Sequence, residues 1–180
     1  MFYIDICNFN DIDAITFDKV FNMLNDVQKY KVLKNKRKIM SYYLLEKYIR
    51  NNKLNIDIKN MKYNINGKPY FDDKFNFNIS NKDDITILVT SKYAIGCDIE
   101  KIRDYNPNIV NYYFNDDEKL ELLKSSNKNY TFFKIYTLKE AYIKMMGWHI
   151  GYFKNCSYNK CYTKTIRYND YCLSVCLTIS

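Results

Sequence analysis

YAIGCDIE, from Tyr93 to Glu100, decides how the chain is organised. Its apolar residues alternate around Asp98 and Glu100, so the segment reads as a strand. Side chains alternate along a strand, which puts Asp98 and Glu100 on one face. Two carboxylates on one face repel each other unless a cation lies between them. Hard oxygen ligands of this kind suit Mg²⁺. Taken alone, the pair also fits a solvent-facing strand edge. Just upstream, ITILVT (85–90) reads as another strand, joined to YAIGCDI (93–99) by a tight turn near Ser91-Lys92.

Further upstream, residues 2–7 predict an opening strand. Phe17, Val20, Phe21 and Leu24 recur at helical spacing. Ile39, Tyr42, Tyr43, Leu45, Tyr48 and Ile49 do so again. Asn66-Gly67 is a turn signal, and Phe75, Phe77 and Ile79 alternate with polar residues as in a half-buried strand. Downstream, Asn115 and Glu118 have capping-box spacing. A long helix is predicted from about Tyr130 to Met146, ended by Gly147. The tail from Cys161 to Ile179 alternates like a hairpin with its turn at Asn169-Asp170. This order of elements predicts an α+β protein of two lobes.

The long helix carries Lys139-Glu140-Ala141-Tyr142-Ile143-Lys144, with Glu140 and Lys144 at i,i+4. Such pairs are common on surface helices and stabilise them by only about 0.2–0.5 kcal/mol. Beside a remote dicarboxylate, Glu140 gains a second reading, as a third metal oxygen or a general base. Lys144, one turn on, is then placed to meet a phosphate.

The 180 residues include 28 Lys+Arg and 20 Asp+Glu, a net charge of +8. That excess suits nucleic acid, an anionic membrane, or an anionic ligand or protein. Much of it falls in Lys29–Lys38, with Lys29, Lys31, Lys34, Lys36, Arg37 and Lys38. The run fits either a solvated basic face or a polyphosphate or nucleic-acid site. No Gly-rich phosphate loop or HExxH accompanies it. His149 lies past the long helix and reads as a loop residue. The first ten residues lack a signal-peptide pattern, and no run approaches 18 apolar residues, so a cytoplasmic protein is expected. Its six cysteines are then expected as free thiols, with a zinc site at Cys156, Cys161, Cys172 and Cys176 the weaker reading.

Taken in order, these motifs resemble the 4′-phosphopantetheinyl transferase superfamily, and most closely its two-lobed class that activates surfactin synthetase. The residues that carry the resemblance are GCDIE (96–100) and, roughly forty residues on, YTLKEAYIK (136–144). NGKPYF (66–71) with FNIS (77–80), RKIMSYYLL (37–45), YYFNDDE (112–118) and CYTKTIRYNDYCLSVC (161–176) add to it. The resemblance implies two similar α+β lobes, 1–90 and 91–180, in pseudo-twofold arrangement with a coenzyme A cleft between them. It implies Mg²⁺-dependent transfer of the 4′-phosphopantetheine arm of coenzyme A to a serine of an apo acyl or peptidyl carrier protein, releasing 3′,5′-ADP. Asp98, Glu100 and Glu140 would hold Mg²⁺. Glu140, Lys144 and Asp98 would be catalytic. Arg37, Lys38, Lys68, Ser80, Asn81, Lys82, Lys139 and Lys144, with Lys29 and Lys31, would bind the cofactor. A monomer is expected, with neither nucleic acid nor membrane as partner.

The sequence departs from the family pattern at Asn81-Lys82, where the family has His-Ser, and at Tyr136, where it has Trp. The stretch 147–160 is short, as if a strand were trimmed. The first departure motivates an alternative, a degenerate coenzyme A-binding protein without transfer. A basic nucleic-acid-binding module is a further alternative. The paired GCDIE and KEAYIK motifs speak against both.

Overall fold

A computed structural model describes residues 1–72, 75–148 and 150–179. His149 therefore lies outside the described residues. The order is β1 (Phe2–Asn8), α1 (Ala14–Asn22), α2 (Asp26–Lys34), α3 (Ile39–Asn51), β2 (Lys62–Tyr63), β3 (Pro69–Tyr70), β4 (Asn76–Lys82), β5 (Ile85–Ser91), β6 (Ile95–Lys101), α4 (Pro107–Tyr113), α5 (Asp116–Lys124), α6 (Lys128–Met146), β7 (Tyr162–Tyr168) and β8 (Tyr171–Leu177). The fold is α+β, as the sequence predicts.

Two antiparallel three-stranded sheets form the centre, in orders β1-β5-β4 and β6-β8-β7. Each arises the same way: a strand, a set of helices, then a hairpin whose second strand inserts between the other two. Both hairpins turn through two residues, Asp83-Asp84 and Asn169-Asp170. The first residue of each turn has positive φ, 52° at Asp83 and 51° at Asn169. Asp and Asn tolerate that conformation better than most side chains. The second turn is legible from its alternating flanks, whereas the first is hidden in the polar run Ser80–Asp84.

The alternation of the strands sorts the core into layers. Ile85, Ile87 and Val89 of β5 meet Ile95, Cys97 and Ile99 of β6 and Leu173, Val175 and Leu177 of β8. The two sheets therefore lie face to face. The opposite face of the first sheet, with Cys7, Phe77 and Leu88, is covered by Met40, Leu44 and Leu45 of α3. The opposite face of the second, with Cys172 and Cys176, is covered by α6 through Phe132, Phe133, Ala141 and Met145. β5 is consequently buried along its whole length. β5 and β6 do not pair, although the sequence suggests two strands joined at Ser91-Lys92. Residues 92–94 instead carry the chain from one sheet to the other.

Three local readings change. The basic run is helical over Asp26–Lys34, opened by a capping box between Asn25 and Gln28. Only Gln28 and Val32 of that helix are buried, so it shows almost no apolar stripe. Pro107–Tyr113 is a short helix with no buried residue, which explains why its pattern is silent. Residues 150–155 and 158–160 form 3₁₀ turns where a trimmed strand is expected, and Phe153 anchors them in the core. All six cysteines are free thiols, and five are buried. No helix among the described residues is long and apolar enough to cross a membrane.

Candidate active site

Asp98 and Glu100 leave β6 on the face turned toward α6, because Cys97 and Ile99 take the other face into the sandwich. Gly96 brings that face close to α6. A Cβ at this position would collide with the carbonyl oxygen of Ala141 and the amide nitrogen of Met145. Only hydrogen fits there, and the helix lies directly on the strand. Glu140 and Lys144, one turn apart on α6, thereby face the β6 carboxylates.

The edge strand β4 of the first sheet lies alongside β6 and completes the site. Asn78, Ser80 and Lys82 share one face of β4. Asn78 Oδ1 accepts a hydrogen bond from the Cys97 amide at 2.9 Å. Ser80 Oγ donates to Asp98 Oδ1 at 2.8 Å. Lys82 Nζ pairs with Glu100 Oε2 at 2.7 Å. Lys144 Nζ lies 2.6 Å from Asp98 Oδ1 and donates to Ser80 Oγ at 3.1 Å. The second carboxylate oxygen of Asp98, Oδ2, is buried without a hydrogen-bond partner. A buried, unpaired carboxylate oxygen is costly unless something else meets it.

Electrostatics at the site follow from this crowding. Burial pushes the Glu140 carboxyl above its usual range, and the neighbouring Asp98 and Glu100 push it further. Lys144 and the Tyr136 hydroxyl, 3.5 Å from Glu140 Oε1, act in the opposite direction. Burial disfavours charge on Lys144, but Asp98 outweighs it and holds the ammonium above its ordinary pKa. Among the described residues, no three His, Cys, Asp or Glu side chains are gathered as a metal-holding group. Asp98 is turned to Lys144 and Glu100 to Lys82.

The basic residues divide. Lys31 and Lys38, with Ser41, Tyr42, Tyr63 and Asn81, line a cavity of about 690 Å³ beside β4. Lys31 Nζ stands 3.6 Å from the centre of the Tyr63 ring. Arg37 lines an adjoining recess with Lys38 and Asn81 and is paired with Asp84. Lys29 lies over the Phe21 ring and does not line this cavity.

Lys68 and Lys139 are placed differently from the resemblance's expectation. Lys68 Nζ is directed at two backbone carbonyls, Ile95 at 3.4 Å and Met145 at 3.3 Å. Burial lowers its pKa to about 8. It ties the β2–β3 hairpin to the start of β6 and the end of α6. Lys139 is wholly buried on the far side of α6. Its Nζ meets both Glu118 carboxylate oxygens at 2.8 Å. One of them also accepts from Tyr158 Oη at 2.9 Å. Being sealed in the core, Lys139 is a structural cation, not a surface helper for phosphate.

Several contributors escape the sequence reading. Asn78 has a recoverable signal, because polar residues at 78, 80 and 82 mark one strand face. Glu118 is legible as a cap residue but not as the partner of Lys139. Tyr42, Tyr63 and Ser41 reach the cavity only through tertiary structure.

Residues 94–176 match the family model of the 4′-phosphopantetheinyl transferase superfamily. The chain is similar to the 4′-phosphopantetheinyl transferase gsp of Aneurinibacillus migulanus, 32% identical over 115 residues, which cover 62% of this chain and 48% of that protein. It is also similar to the 4′-phosphopantetheinyl transferase psf-1 of Bacillus pumilus, 33% identical over 91 residues, covering 48% of this chain and 39% of the relative. The chain thus spans less than half the length of either relative. The matched stretch holds β6, α6 and the closing hairpin, the elements that build the acidic half of the site. Across residues 94–176, where β6, α6 and the closing hairpin lie, the chain is thus similar to the 4′-phosphopantetheinyl transferase superfamily.

Proposed function

We propose that this protein transfers the 4′-phosphopantetheine arm of coenzyme A to a serine hydroxyl of an apo carrier protein and releases 3′,5′-ADP. It would do so as a cytoplasmic monomer of two lobes, 1–90 and 91–180. The observation that carries the reading is the Asp98 carboxylate, held by Ser80 and Lys144 through one oxygen while the other is buried and unpaired. An orphaned hard oxygen, with Glu100 and Glu140 as neighbours, suits Mg²⁺. Asp98, Glu100 and Glu140 would hold the ion. When bound, it supplies Lewis-acid polarisation of the pyrophosphate and neutralises charge on the leaving diphosphate.

The chain's own residues do the rest. The serine oxygen attacks the phosphorus that carries pantetheine, and the bond from that phosphorus to the oxygen of the departing 3′,5′-ADP breaks. Glu140, with its raised pKa, is a stronger base than an ordinary carboxylate and takes the serine proton. Lys144 offers an ammonium to the charge that develops on the leaving group. Lys31, Lys38 and Arg37 line basic recesses that suit the nucleotide's phosphates. Asn81 lines both recesses and can donate to the 3′-phosphate.

The test is incubation of the full chain with coenzyme A, Mg²⁺ and a panel of apo acyl and peptidyl carriers, read by intact mass. One pantetheine-arm mass gain on a carrier is expected. Asp98→Asn should slow that transfer by about a hundred- to a thousandfold, the scale of losing a principal electrostatic stabiliser. Full transfer by Asp98→Asn would refute the site assignment. Tight coenzyme A binding without transfer to any carrier would favour the degenerate binder.

A further inference from the structure

We infer that Lys82 serves as an internal counter-cation that competes with the metal for Glu100 and exchanges that carboxylate for a phosphate when metal and coenzyme A bind. The inference rests on the proposed metal site and adds a role for a residue where this chain departs from the family pattern. Lys82 stands on β4 of the first sheet, and its Nζ reaches across to Glu100 on the second at 2.7 Å. Both side chains remain partly exposed, at 25% and 21%, so the lysine can swing away without leaving a sealed core. Lys144 holds Asp98 in the same manner, through Oδ1 only.

The charges explain why the lysine should move. Three carboxylates, Asp98, Glu100 and Glu140, face two ammonium groups, Lys82 and Lys144. With all five ionised, the site carries a single negative charge. Adding a divalent ion reverses the sign and leaves both ammonium groups beside another cation. A divalent ion drawn to Glu100 would lie close to the Lys82 ammonium, and the two cations repel each other. The relief available is a polyanion, and the pyrophosphate that a metal on Glu100 would bind is the one presented to Lys82; the basic cavity lined by Asn81 opens on the opposite face of β4. Metal binding thus makes the site more receptive to phosphate, and phosphate draws off the cation that competes with metal. Such coupling is reciprocal by necessity.

The consequence has an unusual sign. Removing a positive residue from a phosphate site normally weakens everything bound there. Here, Lys82→Met should strengthen Mg²⁺ binding to the coenzyme A-free protein, by roughly tenfold. It should also weaken coenzyme A binding in saturating Mg²⁺ and shrink the factor by which each ligand improves the other. Lys82→Arg, which keeps the charge, should behave as the wild type does toward Mg²⁺.

The experiment is calorimetric titration of the full chain with Mg²⁺ alone, with coenzyme A alone, and with each in the presence of the other. Wild type, Lys82→Met, Lys82→Gln and Lys82→Arg are compared, with Asp98→Asn as the control for the metal site. Thermal unfolding confirms that each variant folds, and Lys82→Gln stands in should Lys82→Met fail to fold. Tighter Mg²⁺ binding in the Met or Gln variant, but not in Arg, supports the exchange. Equal or weaker Mg²⁺ binding in both neutral variants overturns it. If Asp98→Asn still loses Mg²⁺ in that case, the metal site stands and only the role of Lys82 fails. Failure of the wild type and every variant to bind Mg²⁺ overturns both.

Discussion

At the first sheet's edge, β4 presents Asn78, Ser80 and Lys82, all hydrogen-bonded or ion-paired to β6. At the second sheet's edge, β6 presents Gly96, Asp98 and Glu100 toward α6. The two sheets share strand order, connection pattern and even turn chemistry. They differ in what covers them. α3 lies on its sheet through apolar side chains and brings a basic approach, Lys36–Lys38, at its start. α6 lies on its sheet so closely that Gly96 must lack a side chain, and it carries two charged residues into the seam. One plan has therefore been filled twice, once as a basic wall and once as an acidic centre. The topology supplies the juxtaposition, and the side chains divide the chemistry.

The sharpest way to break this division is at the far side of α6. Lys139→Met strands the buried Glu118 carboxylate, and losing one partner of a buried pair costs about 3–5 kcal/mol. We expect a large fall in denaturation midpoint. The double replacement Lys139→Met with Glu118→Leu should recover much of it, because it leaves no charge behind. No recovery would mean that the pair does more than neutralise itself.

Gly96→Ala comes next. Its Cβ has no room against the α6 backbone, and overpacking costs about 1–3 kcal/mol, occasionally more. Melting temperature and transfer activity should fall together, because α6 must lift Glu140 and Lys144 away from β6. An Ala variant that melts normally would contradict the close approach.

Glu140→Gln should have the opposite sign on stability. A carboxyl whose folded pKa lies above its unfolded value binds more protons when folded. Its ionisation therefore costs stability as pH rises from the unfolded pKa through the folded one. In metal-free buffer at neutral pH, Glu140→Gln should raise the melting temperature by about 2–4 °C per kcal/mol relieved. The gain should fade as pH falls below roughly 4, where the carboxyl is neutral in both states. Transfer activity should nevertheless be lost. A melting temperature that falls at neutral pH would remove the crowding argument.

The smallest stability effect belongs to the first sheet's side. Lys31→Ala should change stability by no more than about 0.5 kcal/mol, as exposed substitutions usually do. It should raise KM for coenzyme A severalfold with kcat unchanged, which steady-state kinetics would separate. A change in kcat alone would place Lys31 outside the nucleotide wall.

What could be read from the sequence depended on range. GCDIE and KEAYIK were legible because each motif is local, and alternation or helical spacing fixes its face. The long helix, its Gly147 stop and the Asn115–Glu118 cap were legible for the same reason. Lys139 and Lys144 were both expected to meet phosphate, being on one helix beside one glutamate. Five residues correspond to 500° of rotation at 3.6 residues per turn, so the two face well apart on the helix. Only the fold shows which of the two faces is sealed. Lys68 also looked free, since nothing local announces that the backbone carbonyls of Ile95 and Met145 will lie within its reach. The order of elements pointed to two lobes, but the strand order they share was not legible, because it depends on patterns of burial that many sequences satisfy.

The apolar layer between the two sheets has a consequence for turnover. Enzymes often close around substrate by swinging one half against the other about a hinge. Ile87, Val89, Ile95, Cys97, Leu173 and Val175 are each wholly shielded in that layer. Opening it would expose apolar area at about 25 cal/mol per Å², which no lysine exchange could offset. The two sheets therefore stay packed once folded, and under the proposed activity the movement left is that of partly exposed side chains such as Lys82, which reorient in nanoseconds.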